Sequence, residues 1–336
     1  MSTVVLSSYI WACTDNGIGK FDQSTLSQQT LMELFIFGLD AAEYICGSRD
    51  IPTEVSAWKS VRCSVEGKVE AFRWRLYGAG GTGTVNLQYL PSTVKILRMD
   101  GNVLHGTVNL ADMPVQMEYF CLSDNQLTGN VDLMCLAVSL ETLDMYGNKF
   151  TGSISLTHLP NSLEVLDLHQ NELSSSVCLR FLPVALRKIN LSSNRFEGSV
   201  DFTRLPESLS DINVDNNALF GTLNLDHLPT KLCRIRVSRN NFSGTVSLIA
   251  LPSSLHYINL SSNRFEGSLD VTRLPDALIY VLVNNNAFSG PVDLAHLPAK
   301  LFSIDMFNND FSGTVRLPTG VSINITGCDD LVVKYL

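Results

Sequence analysis

The chain has no uninterrupted apolar stretch near the ~20 residues that a membrane-spanning helix needs. Charge is scarce too: 17% of residues are charged, against ~25% in an average soluble protein, which argues against a long charged tail. Basic residues are in deficit, 24 against 33 acidic ones. A net charge of −9 excludes an affinity built on neutralising phosphates, so no nucleic-acid partner is expected. The opening run Met1 to Cys13 puts no basic residue before its short apolar stretch and makes a poor secretory leader. No Ser-His-Asp order, His-Glu-x-x-His motif or phosphate loop occurs, and Gly17-Ile18-Gly19-Lys20 lacks the spacing of one. No enzyme and no cofactor are expected. What the chain does have is 45% hydrophobic residues, enough for a sizeable core.

It also has a period. Asparagine recurs at Asn102, Asn125, Asn148, Asn171, Asn194, Asn217, Asn240, Asn263, Asn286 and Asn309, every step being 23 residues. Four residues later runs a glycine column, from Gly83 and Gly106 to Gly290 and Gly313. A third column is Leu-Pro, as at Leu159-Pro160, Leu205-Pro206 and Leu297-Pro298. Three columns in register define a solenoid. Length alone would suggest about two domains at ~150 residues each; the unbroken period predicts one continuous unit.

The turn Leu186 to Ser208 shows the physics. Ile189 and Leu191 alternate as a short strand with one face buried, and Gly198 to Phe202 alternates again on the opposite side of the coil. Pro206 forbids a long helix there. Each coil turns its backbone inward, and the buried N–H and C=O groups need partners. A stacked asparagine supplies both a donor and an acceptor, which predicts a ladder.

The spacing Leu-x-x-Leu-x-Leu-x-x-Asn-x-Phe-x-Gly resembles the leucine-rich repeat family, and its Phe-x-Gly extension resembles the plant-type subclass. Similar regular repeats occur in unicellular eukaryotes. The resemblance covers about Val69 to Leu317, eleven coils. It departs after the glycine, where the plant-type pattern has Ile-Pro and this chain has Val-x-Leu. The expected fold is a mainly β, right-handed solenoid, a horseshoe or arc, with a concave parallel sheet, an Asn ladder and a helical N-terminal cap. The expected divisions are 1–68 as extension and cap, 69–317 as repeats and 318–336 as closing cap.

Within the cap, Thr25 to about Cys46 reads as a helix. Trp58 to Cys63 resembles the Trp-x-Gly-Val-x-Cys of plant-type caps, with Ser60 in the glycine place. Glu66-Gly67 turns into a strand over Lys68–Leu76. In the degenerate first coil Trp74, Leu76, Ala79 and Gly83 fill the slots, Ala79 replacing the ladder asparagine. A cap is needed because the first coil would otherwise expose an apolar edge.

Other motifs have bland explanations. Gly78 to Gly83 matches Gly-x-Gly-x-x-Gly, but no helix follows and Gly83 is the repeat glycine. His158, His227 and His296 share a column three coils apart, on the order of 14 Å with strands ~4.8 Å apart, too far for one metal. Cys121, Cys135, Cys178 and Cys233 fall in different slots, and Cys46 with Cys63 is the pair to consider for a disulfide. Asn190, Asn241, Asn259 and Asn324 begin glycosylation sequons, although the repeat itself writes two of them. Unpaired thiols put the cytoplasm ahead, cap and sequons point outward, and the compartment stays open.

An internal duplication marks the candidate site. Residues 186–248 resemble 255–317, and Ile189 to Ser199 recurs identically at Ile258 to Ser268. Framework slots match at 22 of 28 positions but outward strand slots at only 4 of 15, so the concave face is where the copies have diverged. Its candidate ligand-binding residues are Tyr119, Asp144, Tyr146, Asp167, His169, Asp211, Asp215, Arg234, Arg236, Arg239, Tyr257, Tyr280 and Phe307. Arginine and tyrosine are common at interface hot spots. The expected function is non-enzymatic recognition of a protein or peptide by a monomer, an acidic or mixed-charge segment fitting the three arginines. Ion pairing among Asp211, Asp215 and the arginines is the structural alternative. The alternative functions are a regulatory or targeting subunit of an enzyme complex, a hydrolase hidden in the caps, and a secreted or cell-surface receptor-like ectodomain.

Overall fold

A computed structural model describes residues 25–75, 81–317 and 320–335. Every coil contributes one short strand to each of two sheets. The first sheet has thirteen strands, beginning with Val61–Cys63 (β1) antiparallel to Val69–Arg73 (β2); from β2 onward all neighbours are parallel. The second has twelve strands, running from Thr82–Gly83 to Leu331–Tyr335. In the three-residue strands of the repeats the central residue points into the core, as Leu143 does in Thr142–Asp144, while its neighbours lie on the opposite face. Parallel pairing comes from stacking coils and needs no helical crossover. Single 3-10 turns, as at Leu87–Tyr89, are the only helical pieces described within the repeats.

The asparagines form the ladder. Asn148 Nδ2 donates to the carbonyls of Leu122 (3.0 Å) and Met145 (3.2 Å), and its Oδ1 accepts from Leu127 N–H (3.0 Å). One side chain therefore ties two coils through backbone groups that water cannot reach. A second tie went unread in the sequence: Ser139, Ser162 and Ser254, each two residues after the Leu-Pro place, donate to two carbonyls of the preceding coil. The residue before each ladder asparagine is left-handed, including Asp124, Gln170, Ser193 and Arg239, with Gly101 and Gly147 in the same column.

The caps depart from expectation in three places. The N-terminal helix is two helices, Gln28–Ile36 and Glu43–Cys46, broken where Gly38 meets Gly83; a Cβ on Gly83 would lie 2.4 Å from Gly38 O. Phe35 of the first packs edge-on against Phe72, ring centres 5.3 Å apart. The entering strand is Val69–Arg73, and Phe72 pairs with Leu97, so Phe72 takes the slot expected for Trp74, and Trp74 the next apolar slot. Because Gly83 keeps its 23-residue offset from Gly106, the two extra residues lie between Trp74 and Gly83; Leu76 and Ala79 fall outside the described residues. The closing segment is a further coil. Ser322–Asn324 and Leu331–Tyr335 extend both sheets, and Cys328 Sγ donates to Met306 O (3.3 Å) in the ladder position, 19 residues after Asn309. Cys46 and Cys63 are free thiols, so the disulfide considered for them is absent.

Candidate functional site

The outward positions of the first sheet stack at one residue per coil, so side chains distant in sequence become neighbours. The structure gathers the candidate residues into three groups.

The first lies on the coils of Asn148 and Asn171. Asp144 and Asp167 pair directly across adjacent strands. Asp167 is buried and takes Lys188 (2.7 Å) on one oxygen and His169 on the other. Burial alone would raise the Asp167 pKa, but hydrogen bonds from His169 and Lys188 outweigh it and hold it below the ordinary value. His169 stacks on Tyr146, ring centres 4.3 Å apart. The Tyr146 hydroxyl is pushed up to about 12, first by its hydrogen bond to Asp124 and then by burial. Asp144 gets no such partner: its Oδ1 is enclosed without a hydrogen bond. Burial, reinforced by the charge on Asp167, pushes Asp144 up to about 6.

A folded-state pKa above the unfolded one means that the fold prefers neutral Asp144. Its stabilisation is complete below about 3.8 and is lost as pH rises through about 6. Asp144→Asn is therefore expected to stabilise the protein by on the order of 1–3 kcal/mol at pH 8 and by almost nothing at pH 4. Urea midpoints of both proteins at the two pH values check this.

The second group joins Asp211, Arg234, Arg236 and Tyr257. Both arginines bind Asp211, at 3.2 and 2.9 Å, and the Arg236 guanidinium lies 5.3 Å from the Tyr257 ring centre. Asp215 accepts from Ser238 N–H, and burial raises its pKa. Arg239 is exposed and makes no ion pair among the described residues. The third group is a strip of rings: Tyr257 to Tyr280 at 5.9 Å, then Tyr280 to Phe302 at 5.6 Å. Phe302 was not among the residues singled out in the sequence, although its column, one position before the strand, was counted as outward. Tyr119 stands apart from these groups under the Arg98 guanidinium at 5.3 Å. Phe307 is half-buried on the last full repeat.

No cluster of three metal-ligating side chains and no helix able to cross a membrane occurs among the described residues. Of the sequon asparagines, Asn190 is buried, whereas Asn324 is exposed.

A parallel β-solenoid held by an asparagine ladder defines a repeat-protein class. The leucine-rich-repeat model matches residues 139–159, one coil of this period. The chain has the leucine-rich-repeat fold. No curated protein sequence matches it. The crystal structure of PEPR1-AtPEP1 is similar at 20% identity and a TM-score of 0.55, over 89% of this chain and 51% of that one. That of a TDR receptor shares 24% identity at a TM-score of 0.49, over 79% and 50%. The chain thus spans about half the length of these two. A plant ice-binding protein is 20% identical with a TM-score of 0.58, over 88% of this chain and 89% of that one. At such identities the likeness establishes the fold.

Proposed function

We propose that this protein is a non-enzymatic recognition module that binds a protein or peptide on the outward face of its thirteen-stranded sheet. The observation that carries the reading is the concentration there of exposed aromatic and charged side chains on a rigid frame. Tyr257, Tyr280 and Phe302 form a continuous apolar strip bordered by arginines, the composition of interface hot spots. The divergence between the duplicated copies falls on the same positions. The likeness to the solved PEPR1-AtPEP1 complex agrees with a binding role. A regulatory subunit or a receptor-like ectodomain would use the same face.

Because Arg234 and Arg236 are both held by Asp211, removing them alone would strand a carboxylate that is mostly buried. The test is therefore a combined variant, Arg234→Ala, Arg236→Ala, Asp211→Asn and Tyr257→Ala. Partner capture from an extract of the source organism should be lost while the thermal midpoint stays near that of the unmodified protein. Capture retained by a folded variant would refute the face.

A second reading comes from the other sheet. Ser199, Thr222, Thr245 and Ser268 place exposed hydroxyls at one position of four consecutive coils, and a plant ice-binding protein shares the fold. Glu197, Phe220 and Glu266 interrupt this file two residues away, which makes it the second reading. Thermal hysteresis of a purified solution would establish it; none would exclude it.

A further inference from the structure

Along the first sheet the carboxylates that bind two cations each precede the strip of rings. Arg75 and Arg98 both bind Asp100, and Lys188 and His169 both bind Asp167. Asp144 lies between these two satisfied carboxylates, partly exposed, with one oxygen enclosed and unpartnered. A half-buried carboxylate with one oxygen lacking a hydrogen bond costs the fold stability, and a neutral isostere would fit the same space. A local rule broken at a cost to the fold points to a functional role for Asp144. Further along, the charges give way to the apolar strip Tyr257, Tyr280 and Phe302, with Tyr280 37% and Phe302 60% exposed. The two arginines between these ends are held by Asp211, so they give no independent reason for an acidic ligand.

Resting on the recognition reading above, we propose that the ligand is an extended polypeptide with a lysine or arginine seated at Asp144 and an aromatic or branched aliphatic residue on the Tyr257–Tyr280–Phe302 strip. Charge complementarity selects the cation: a ligand ammonium or guanidinium supplies Asp144 with the direct ion pair that Lys188 and His169 make with Asp167, their charges reaching Asp144 only from a distance. Apolar burial against the rings supplies the second anchor. The strand of Asp144 and that of Tyr257 are five steps apart in the sheet, and Tyr280 is one step further. At ~4.8 Å per step these spans are about 24 and 29 Å, which an extended chain rising ~3.3 Å per residue covers in about seven to nine residues.

The experiment uses the full chain and labelled synthetic peptides carrying one Lys and one Phe, separated by about four, eight or twelve residues of a Gly/Ser spacer. Norleucine replaces Lys in a matched set. Fluorescence anisotropy should show tightest binding at the middle spacing. Asp144→Asn should weaken the Lys peptide about tenfold and leave the norleucine peptide unchanged, one charge-assisted contact being worth about that factor. Tyr280→Ala with Phe302→Ala should weaken both sets. Equal affinity of Lys and norleucine peptides for the unmodified protein, no dependence on spacing, or no binding by any peptide would overturn the proposal. If the ring variants still weaken both sets, the recognition face survives without its cation seat. Binding indifferent to all three substitutions would overturn the face as well.

Discussion

Replacing Asn148 by alanine should destabilise the protein by about 3 kcal/mol, more than almost any surface change. The side chain is 8% exposed and makes four hydrogen bonds to backbone groups of two coils. The losses are unequal. Leu122 O keeps a bond from Asn125 and Met145 O keeps one from Asn171, because each carbonyl serves two rungs of the ladder. The Leu127 N–H, donated to Asn148 Oδ1, is the group left buried without its partner. A single orphaned amide costs about 1–3 kcal/mol, and the weakened carbonyls add to it. Asn148→Asp sharpens the test. It preserves the acceptor for Leu127 but turns an oxygen toward three carbonyls, so it should be at least as damaging at neutral pH. Denaturant midpoints measure the loss, and native-state hydrogen exchange should show it first at the Leu127 amide. A loss below about 1 kcal/mol with that amide still protected would mean the ladder is not the tie described.

Phe265→Ala should cost about 3–5 kcal/mol. Its ring is fully buried between Phe242 and Phe288, with centres 6.2 and 6.0 Å away and planes within 5° and 13° of parallel. Truncation removes a large apolar area and leaves a cavity that a stack of coils held in register closes poorly. Phe265→Leu should cost less than about 1.5 kcal/mol, since Leu127, Leu173 and Leu219 already fill the same column in other coils. The contrast between the two substitutions, read from thermal or urea unfolding, separates cavity formation from loss of the aromatic stack. Equal costs would show that the stacking itself, and not the filled volume, holds this column.

The repeat was legible because its physics is local and periodic. One asparagine per coil, one glycine four residues on and one Leu-Pro turn each answer a fixed backbone need, and that need returns every 23 residues. Departures fell where the period is interrupted. The two extra residues of the first coil shift Trp74 by one apolar slot, a register that only strand pairing reveals. Cys328 was hidden because its coil is four residues short and a thiol replaces the amide. The break between the two cap helices comes from a close backbone approach between Gly38 and Gly83, which no pattern within the helix announces.

The candidate site was legible as a surface but not as a set of bonds. Outward positions follow from alternation, so Asp144, Arg234 and Tyr280 could be assigned to one face from the sequence. Which carboxylate takes which cation depends on stacking between coils. Asp211 collects two arginines and Asp167 collects Lys188 and His169, while Asp144 collects neither. That asymmetry is invisible in a column of aspartates. It is the feature that gives the face a direction.

If partners bind on the thirteen-stranded sheet, exposed aromatic residues on two sides of the coil serve as natural reporters of it. Tyr280 and Phe302 stand on that face, while Phe220 lies on the second sheet and Phe181 just before a Leu-Pro turn; Phe181 is 59% and Phe220 52% exposed. Hydroxyl-radical footprinting of the chain with and without its captured partner, read by mass spectrometry, compares them in one measurement. Oxidation of Tyr280 and Phe302 should fall on binding while that of Phe220 and Phe181 is unchanged. Protection of Phe220 and Phe181 with Tyr280 and Phe302 still freely oxidised would contradict the account.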